Sequence, residues 1–299
     1  MDVTPLLRAL AGHHGLPLSA VRPAPLQGVA NRVWFVGEHL VLRVARDEPG
    51  AVADLRKELA VIPYATELGV RTPRLEGFGE TGPVPYVLLR RAHGVVPELP
   101  ESAAGDPRGE VYRQLGAELA LLHRGRYAGP PVPYDDGGDP LRTVERLRAE
   151  AYLGAAEARW LSGWFARLAP YREGVEPVLV HGDACPTNLL ADPASGDLSW
   201  LLDWGDAHLG DPAEDFAKLP LRAVPYALAG YLGEAAAGSV QREWAARVLW
   251  HQLHWALARI PTPPGRDGVH WSSPMAARLL EVLRFYAEGA PEAWRGVGA

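Results

Sequence analysis

The sequence predicts an α+β protein with a small β-rich N-terminal lobe and a larger, mainly helical C-terminal lobe. The chain has 299 residues, of which 47% are apolar, so it can bury a large core and its length favours two lobes over one. Apolar runs separated by turn residues indicate strands after Leu26. Apolar residues spaced three and four apart indicate helices after Val111.

The N-terminal segment contains a predicted antiparallel hairpin. Residues 1–25 read as a short helix followed by a proline-containing lead-in. From Leu26 the pattern becomes strand-like, because a polar turn over residues 27–32 precedes the apolar run Val33–Val36. A second turn then leads into Leu40–Ala45, which we expect to pair with the preceding strand.

A long helix is predicted from about Ala51 to Leu68, ended by Gly69. Its apolar stripe consists of Val52, Leu55, Leu59 and Ile62. Glu58 flanks this stripe, so its side chain can point toward the buried face. Pro63 has no backbone N–H, and we expect it to kink or divide the helix near Leu59.

Two further strands and a series of helices complete the predicted architecture. The strands are expected over Glu76–Thr81 and from Pro85 onward, each bounded by turn residues. Amphipathic spacing and capping residues then predict helices from Val111 to about Gly125, from Asp139-Pro140 to about Leu153, from Glu157 to Leu168, from Ser239 to about Arg259, and from Ser273-Pro274 to about Ala287.

The stretch Val178–Asp215 concentrates acidic and amide groups at spacings that suit phosphoryl transfer. Its first half reads His181-Gly182-Asp183, with Asn188 five residues after the Asp. In such an arrangement the carboxylate takes up an alcohol proton while the amide oxygen holds Mg²⁺. Two apolar runs joined by a turn-rich loop predict a hairpin that returns the chain to Asp203, which would bring two oxygen ligands together.

These residues resemble a known family. The strings HGDACPTN and LLDWGDAHLGDPAED are similar to the catalytic and metal-binding motifs of the aminoglycoside phosphotransferase and choline kinase-like family, whose members have a protein-kinase-like fold. The resemblance covers about residues 26–259. It implies an N-terminal nucleotide-binding lobe over residues 1–92 and a C-terminal helical lobe over residues 93–299 with the catalytic loop and the acceptor site.

The resemblance also implies roles for the matched residues. Asp183 is expected to orient and deprotonate the acceptor hydroxyl, and Asn188 and Asp203 are expected to bind Mg²⁺. His181 is expected to anchor the catalytic loop from beneath. Asp206 is expected either to assist the metal or acceptor site or to cap the following turn.

A nucleoside triphosphate, ATP or GTP, is the implied phosphoryl donor. Gly28 lies in the turn that would cover its phosphates, although the turn lacks the G-x-G-x-x-G of protein kinases. Arg43 stands where protein kinases have Lys, and it is expected to hold phosphates through its planar fork while Glu58 positions it. By resemblance to the hinge between the lobes, the Arg90 carbonyl and the Ala92 N–H are expected to bind adenine.

Two groups of residues are candidates for binding the acceptor. A polycationic aminoglycoside would need carboxylates around its site, and Asp135, Asp136 and Glu157 could supply them. Asp-Asp-Gly-Gly is also ordinary turn composition, so these residues have a structural explanation as well. An aromatic wall including Trp250 and His254 would instead suit a bulkier, less charged acceptor.

The histidines at 251 and 254 lie on adjacent turns of one predicted helix and could in principle bind a metal ion. The sequence offers no nearby carboxylate partner for them. We therefore favour packing or pocket-lining roles for both His251 and His254.

Composition limits the other classes of function. The net charge of −6 and the excess of acidic residues argue against a nucleic-acid-binding surface. No apolar run is long enough to span a bilayer, and the N-terminus lacks a basic segment before an apolar core, so we expect a cytoplasmic protein without a membrane partner. The single cysteine, Cys185, excludes an internal disulfide framework and a cysteine-rich zinc site.

The sequence therefore predicts an ATP- or GTP-dependent kinase of a hydroxyl group on a small molecule. Antibiotic modification, with an aminoglycoside, a macrolide or a similar acceptor, is the family function that we place first. A metabolic kinase acting on an amino alcohol, a homoserine-like compound or a sugar is the alternative. A nucleotide-binding module without turnover is a third interpretation, against which the intact Asp183, Asn188 and Asp203 argue.

Overall fold

The computed structural model describes residues 4–13, 15–25, 27–28, 30–81, 84–233, 235–263 and 277–297. Its N-terminal part is a five-stranded antiparallel sheet preceded by helix α1 (Thr4–His13). The strands are β1 (Val21–Pro23), β2 (Asn31–Val36), β3 (Leu40–Ala45), β4 (Leu75–Thr81) and β5 (Val84–Arg90), in the order β1-β2-β3-β5-β4. The predicted hairpin is β2–β3, with Val36 opposite Leu40.

The start of the sheet differs from the sequence prediction. The first strand, β1, lies before Leu26 and pairs with β2, while β2 begins at Asn31, inside the predicted turn. Gln27 explains the difference, because its side chain donates to the carbonyls of Ala24 and Val33 and accepts from the Val33 N–H. Its side chain thus closes a narrower turn between the two strands.

Helix α2 (Pro49–Glu67) packs against the sheet and runs without interruption through Pro63. Of the two outcomes expected at Pro63, a kink or a division of the helix, division is therefore wrong. Burial of Leu55 and Ile62 before the proline and of Ala65 after it outweighs the single hydrogen bond that the proline cannot donate. Glu58 lies in the middle of this buried face.

The C-terminal part is built mainly from helices, which are α3 (Glu110–Arg124), α4 (Pro140–Ala149), α5 (Ala155–Leu168), α6 (Val224–Leu232), α7 (Gly238–Ala258) and α8 (Ala277–Ala287). Asp139 caps α4 as predicted, since its carboxylate accepts from the Leu141 N–H at 2.9 Å. The helix ends at Ala149, earlier than expected. The predicted cap Ser273-Pro274 lies outside the described residues.

Helices α3 and α6 approach each other through two glycines. A methyl group placed on Gly116 would lie 1.8 Å from the Ala227 carbonyl oxygen, and one on Gly230 would lie 1.8 Å from the Arg113 carbonyl oxygen. Only glycine fits at either position. This contact fixes α3, whose His123 contacts Asp215 in the candidate site described below.

Two small antiparallel sheets hold the central stretch Val178–Asp215. Strand β6 (Val178–Val180) pairs with β9 (His208–Gly210), and β7 (Leu189–Ala191) pairs with β8 (Leu198–Leu201) as the predicted hairpin. The mixed α+β class predicted from the sequence is confirmed. Among the described residues, no helix combines the length and the apolarity needed to cross a membrane.

Candidate active site

The backbone after β6 is held by one buried carboxylate. Asp215 accepts hydrogen bonds from the N–H groups of His181 and Gly182 at 2.8 and 2.7 Å, and the His123 Nε2 lies 2.9 Å from the Asp215 Oδ2. Burial opposes ionisation of Asp215, but His123 and these donors hold its pKa below the usual range. The sequence placed Asp215 in a motif but gave it no role.

His181 links the same loop to the end of β8. Its Nδ1 accepts from the Asp183 N–H at 3.2 Å, and its Nε2 lies 3.0 Å from the Leu202 carbonyl oxygen. Burial lowers the pKa of His181, which suits the neutral ring that this pattern requires. The ring also contacts Trp204, with centroids 4.5 Å apart. The expected anchoring role of His181 remains a prediction that this geometry favours.

The carboxylate of Asp183 meets two side-chain donors. Its Oδ2 accepts from the Asn188 Nδ2 at 2.7 Å, and its Oδ1 lies 2.9 Å from the Lys218 Nζ. Lys218 also lies 3.3 Å from the Asp206 Oδ2. Burial lowers the pKa of Lys218, yet the two carboxylates raise it above its ordinary value, so the ammonium stays charged.

Sequence reasoning missed Lys218, which lies 35 residues after Asp183 along the chain. A single Lys after a 3-10 turn does not form a sequence motif, so no local pattern marks Lys218 as part of the site. The Asp206 side chain pairs with this ammonium, and the Asp206 carbonyl oxygen accepts from the His208 Nδ1 at 2.8 Å. His208 in turn pairs with Glu214 at 3.2 Å.

Arg43 joins the sheet to the segment after β8. Its Nη1 lies 2.9 Å from the Glu58 Oε2, and its Nη2 lies 2.9 Å from the Asp203 Oδ1. Burial raises the pKa of Glu58 to about 8, against the pull of Arg43. Burial also disfavours the charge of Asp203, but the Arg43 guanidinium holds the pKa of Asp203 below its usual value. Asp203 has a left-handed backbone, with φ 68°.

A cavity of about 350 Å³ opens between the sheet and the β7–β8 hairpin. Six of the residues predicted to bind nucleotide or metal line it, namely Gly28, Arg43, Arg90, Ala92, Asn188 and Asp203. Apolar side chains from both parts form its walls, including Val33, Phe35, Leu89, Leu190 and Leu202. Arg91 lies over the Phe35 ring at 3.9 Å, at the outer edge.

The two groups of residues that are predicted to bind the acceptor lie next to each other in part. The loop carrying Asp135 and Asp136 is fastened to β9, because the Asp135 N–H donates to the Leu209 carbonyl at 3.0 Å. Each of the two carboxylates also accepts a backbone N–H two residues ahead, at 2.8 Å. The backbone of this loop at Gly137 lies directly against Trp250 and His251 of α7.

Trp250 lies behind this loop, away from solvent. Only 3% of the residue is exposed, and the Arg172 guanidinium covers its ring at 3.7 Å while donating to the Asp136 carbonyl at 2.7 Å. Trp250 therefore supports the loop from behind and does not form an open aromatic wall. His254 is half-buried, with its Nε2 3.0 Å from the Thr143 hydroxyl.

Two further expectations about this region change. His251 does have a nearby carboxylate, because its Nε2 lies 3.2 Å from the Asp211 Oδ2. Arg247 hydrogen bonds to the same carboxylate, so Asp211 is the centre of a buried ion cluster. Glu157 lines a separate apolar cavity between α5, α7 and α8, to which none of the predicted nucleotide or catalytic residues contributes.

A family model described as "Phosphotransferase enzyme family" matches residues 21–250. Viomycin phosphotransferase of Streptomyces vinaceus is 28% identical over 211 residues, which cover 62% of this chain and 68% of that protein.

Two solved structures show the fold. The GDP complex of wild-type aminoglycoside 2'-phosphotransferase-IIIa has a TM-score of 0.66 at 19% identity, over 96% of this chain and 99% of that one. A choline/ethanolamine kinase family protein from Mesorhizobium loti has a TM-score of 0.63 at 18% identity, over 98% of this chain and 97% of that one. The predicted kinase-like fold is therefore confirmed.

Proposed function

Because the chain belongs to the phosphotransferase enzyme family, we propose that it transfers the γ-phosphoryl group of ATP or GTP to a hydroxyl group of a small molecule. One observation carries the proposal. Asp183 is hydrogen bonded to Asn188, and Asn188 lines one cavity with Asp203 and the phosphate-binding candidate Arg43. A base, two oxygen ligands and a fixed cation are the groups that phosphoryl transfer needs in one place.

The cavity suits a nucleotide. Its apolar walls, from the sheet above and from Leu190 and Leu202 below, would enclose the flat base. The backbone of Arg90 and Ala92 at its edge would bind the base, and Gly28 would cover the phosphates. Arg43, held by Glu58, presents a cation to the phosphates without having to be ordered first.

The donor set fits a magnesium ion. The Asn188 Nδ2 donates to both the main chain and the side chain of Asp183, and no described residue donates a hydrogen bond to the Asn188 Oδ1. The Asp203 carboxylate has a lowered pKa and lines the same cavity. Oxygen ligands of this kind are those that Mg²⁺ prefers. When bound, the ion would neutralise charge on the nucleotide phosphates.

Asp183 would act as the base toward the acceptor hydroxyl. Its two oxygens each receive one donor, from Asn188 and Lys218, which fixes the plane of the carboxylate. Each oxygen keeps a lone pair that can accept the hydroxyl hydrogen bond and then the proton. The proton would thus move from the acceptor oxygen to Asp183 as the new oxygen–phosphorus bond forms. The bond between the γ-phosphorus and the oxygen that bridges it to the β-phosphate would break in the same transfer, and the nucleoside diphosphate would leave.

For the acceptor, we place an antibiotic first. The similarity to viomycin phosphotransferase supports this choice, and the loop with Asp135 and Asp136 offers negative charge to an aminated molecule. A screen for nucleoside diphosphate release over a panel of hydroxylated antibiotics and metabolites tests the function. Release that depends on one acceptor identifies the substrate, and activity only with amino alcohols or sugars would favour the metabolic alternative. Absence of release with every acceptor and both donors would contradict the proposal.

If the acceptor is a polycation, its kcat/KM should fall steeply as ionic strength rises from low to physiological, because exposed charges attract it. The KM for nucleotide should change much less. The matched double variant Asp135→Asn with Asp136→Asn removes charge but keeps the oxygens that accept the Gly137 and Gly138 N–H groups. It should flatten the salt dependence. An unchanged salt dependence in the variant would remove the loop from acceptor binding.

A second prediction concerns Asp203. Asp203→Asn keeps the shape and tolerates the left-handed backbone at this position, but it removes the charge. We expect the gain in nucleotide affinity caused by Mg²⁺ to be lost. Calorimetric titration of nucleotide with and without Mg²⁺ measures this gain, with Asp192→Asn on the exposed hairpin turn as the control. Equal metal dependence in the Asp203 variant and the unmodified chain would refute the assignment.

A further inference from the structure

The basic residues of this chain are almost entirely arginine. The sequence contains 28 Arg and only two Lys, Lys57 and Lys218. Both lysines contact the short segment that follows Asp203: Lys57 donates to the Gly205 carbonyl, and Lys218 contacts the Asp206 carboxylate. In a chain that uses arginine at nearly every basic position, two lysines at the candidate active site indicate positions where the shape of the cation matters.

Lys218 makes the more informative contact. Its single Nζ bridges the Asp183 Oδ1 at 2.9 Å and the Asp206 Oδ2 at 3.3 Å, and 19% of its side chain is exposed. It follows the 3-10 turn Pro212–Phe216, which also carries Asp215. One segment therefore holds the catalytic loop twice, through its backbone by Asp215 and through its carboxylate by Lys218.

The chemistry of the two cations explains why lysine suits this place. An ammonium is a compact point charge that can contact one oxygen of each of two carboxylates. A guanidinium is a planar fork that binds both oxygens of one carboxylate. At Asp183 such a fork would compete with the Asn188 Nδ2 for Oδ2 and turn the carboxylate out of its plane.

We propose that Lys218 is a positioning residue for the phosphoryl transfer, which fixes the Asp183 carboxylate through Oδ1 and ties it to Asp206, and that arginine cannot replace it. The inference rests on the function proposed above. Lys218 lies outside the nucleotide cavity, so its effect should appear in turnover and not in donor binding.

The experiment compares Lys218→Met, Lys218→Arg and Lys218→Cys in steady-state kinetics with the acceptor found in the screen, or with slow nucleotide hydrolysis. Lys218→Met should lower kcat about 10²-fold, the scale of a misplaced catalytic group, with the nucleotide KM nearly unchanged. Lys218→Arg should stay at least about tenfold below the unmodified chain, although it keeps the charge.

Lys218→Cys gives the decisive measurement within one folded preparation. Treatment with 2-bromoethylamine converts the new thiol to a thioether that ends in an ammonium, with bromide as the leaving group. The modified side chain nearly matches lysine, and we expect it to restore most of the lost kcat. Treating the unmodified chain with the same reagent shows whether modification of the buried Cys185 changes kcat. The variant Arg142→Cys places a thiol at an exposed position and is the matched control for modification of an introduced cysteine.

The outcomes separate this inference from the proposed function. If the unmodified chain has no turnover, both fail. If it turns over and Lys218→Met or Lys218→Arg keeps full kcat, the positioning role alone is overturned. A loss in Lys218→Cys that aminoethylation does not restore would mean that Lys218 serves folding only, which also overturns it.

Discussion

Replacing Asp183 with Asn should lower kcat by about 10² or more, the usual scale for a positioned base. The change keeps the shape of the side chain but removes the group that accepts the hydroxyl proton. Nucleotide affinity should change little, because Asp183 contacts the cavity only through Asn188. Rapid-mix single-turnover kinetics with saturating donor and acceptor measure the chemical step directly, separately from product release.

A matched control is available for this variant. Asp206→Asn removes a carboxylate from the same ammonium, Lys218, without removing the proposed base. It should therefore cost less than Asp183→Asn. If both variants lose the same activity, the common cause would be disturbance of Lys218, and Asp183 would lose its special role. Near-normal turnover in folded Asp183→Asn would also exclude Asp183 as the base.

Replacing Asp215 with Ala should destabilise the fold by about 3 kcal/mol or more, since each buried donor left without a partner costs about 1–3 kcal/mol. Three donors lose their partner at once, the N–H groups of His181 and Gly182 and the His123 ring. Urea unfolding followed by circular dichroism gives the difference in the free energy of unfolding.

The hairpin turn supplies the control for Asp215. Asp192 also accepts two backbone N–H groups, those of Ala194 and Ser195, but it does so at an exposed turn. Asp192→Ala should cost about 1 kcal/mol or less, because water replaces the lost acceptor. Similar losses for the two variants would show that burial of the Asp215 cluster does not determine its contribution.

Much of the fold followed from local patterns in the sequence. The β2–β3 and β7–β8 hairpins were predicted because apolar runs alternate with turn residues, and Asp139 was predicted as a cap because proline follows it. The pairing of Arg43 with Glu58 was also expected, since the helical spacing of α2 points Glu58 toward the sheet. These features depend on residues close in sequence or on one recognised motif.

The remaining features depend on contacts between distant segments. The pairing of β6 with β9 brings the segment that carries Lys218 next to Asp183. These strands are only three residues long, so the sequence does not predict that they pair. The aromatic wall with Trp250 is one of two alternatives that the sequence offers for the acceptor site, and the sequence does not reveal that Arg172 covers this ring. The continuous helix through Pro63 is a case in which tertiary burial overrides a local preference.

The bridge from Arg43 to Asp203 has a consequence for how a donor would bind. These two groups pair with each other across the cleft, at 2.9 Å. In the function proposed above, nucleotide phosphates would compete with Asp203 for the guanidinium, and a divalent ion would compete with Arg43 for the carboxylate. Phosphates alone would leave the Asp203 carboxylate without the guanidinium, and an ion alone would leave Arg43 paired only with Glu58, whereas both together would supply a new partner to each group. Affinity for the ion and affinity for the nucleotide would then be thermodynamically coupled, each enhancing the other by the same factor.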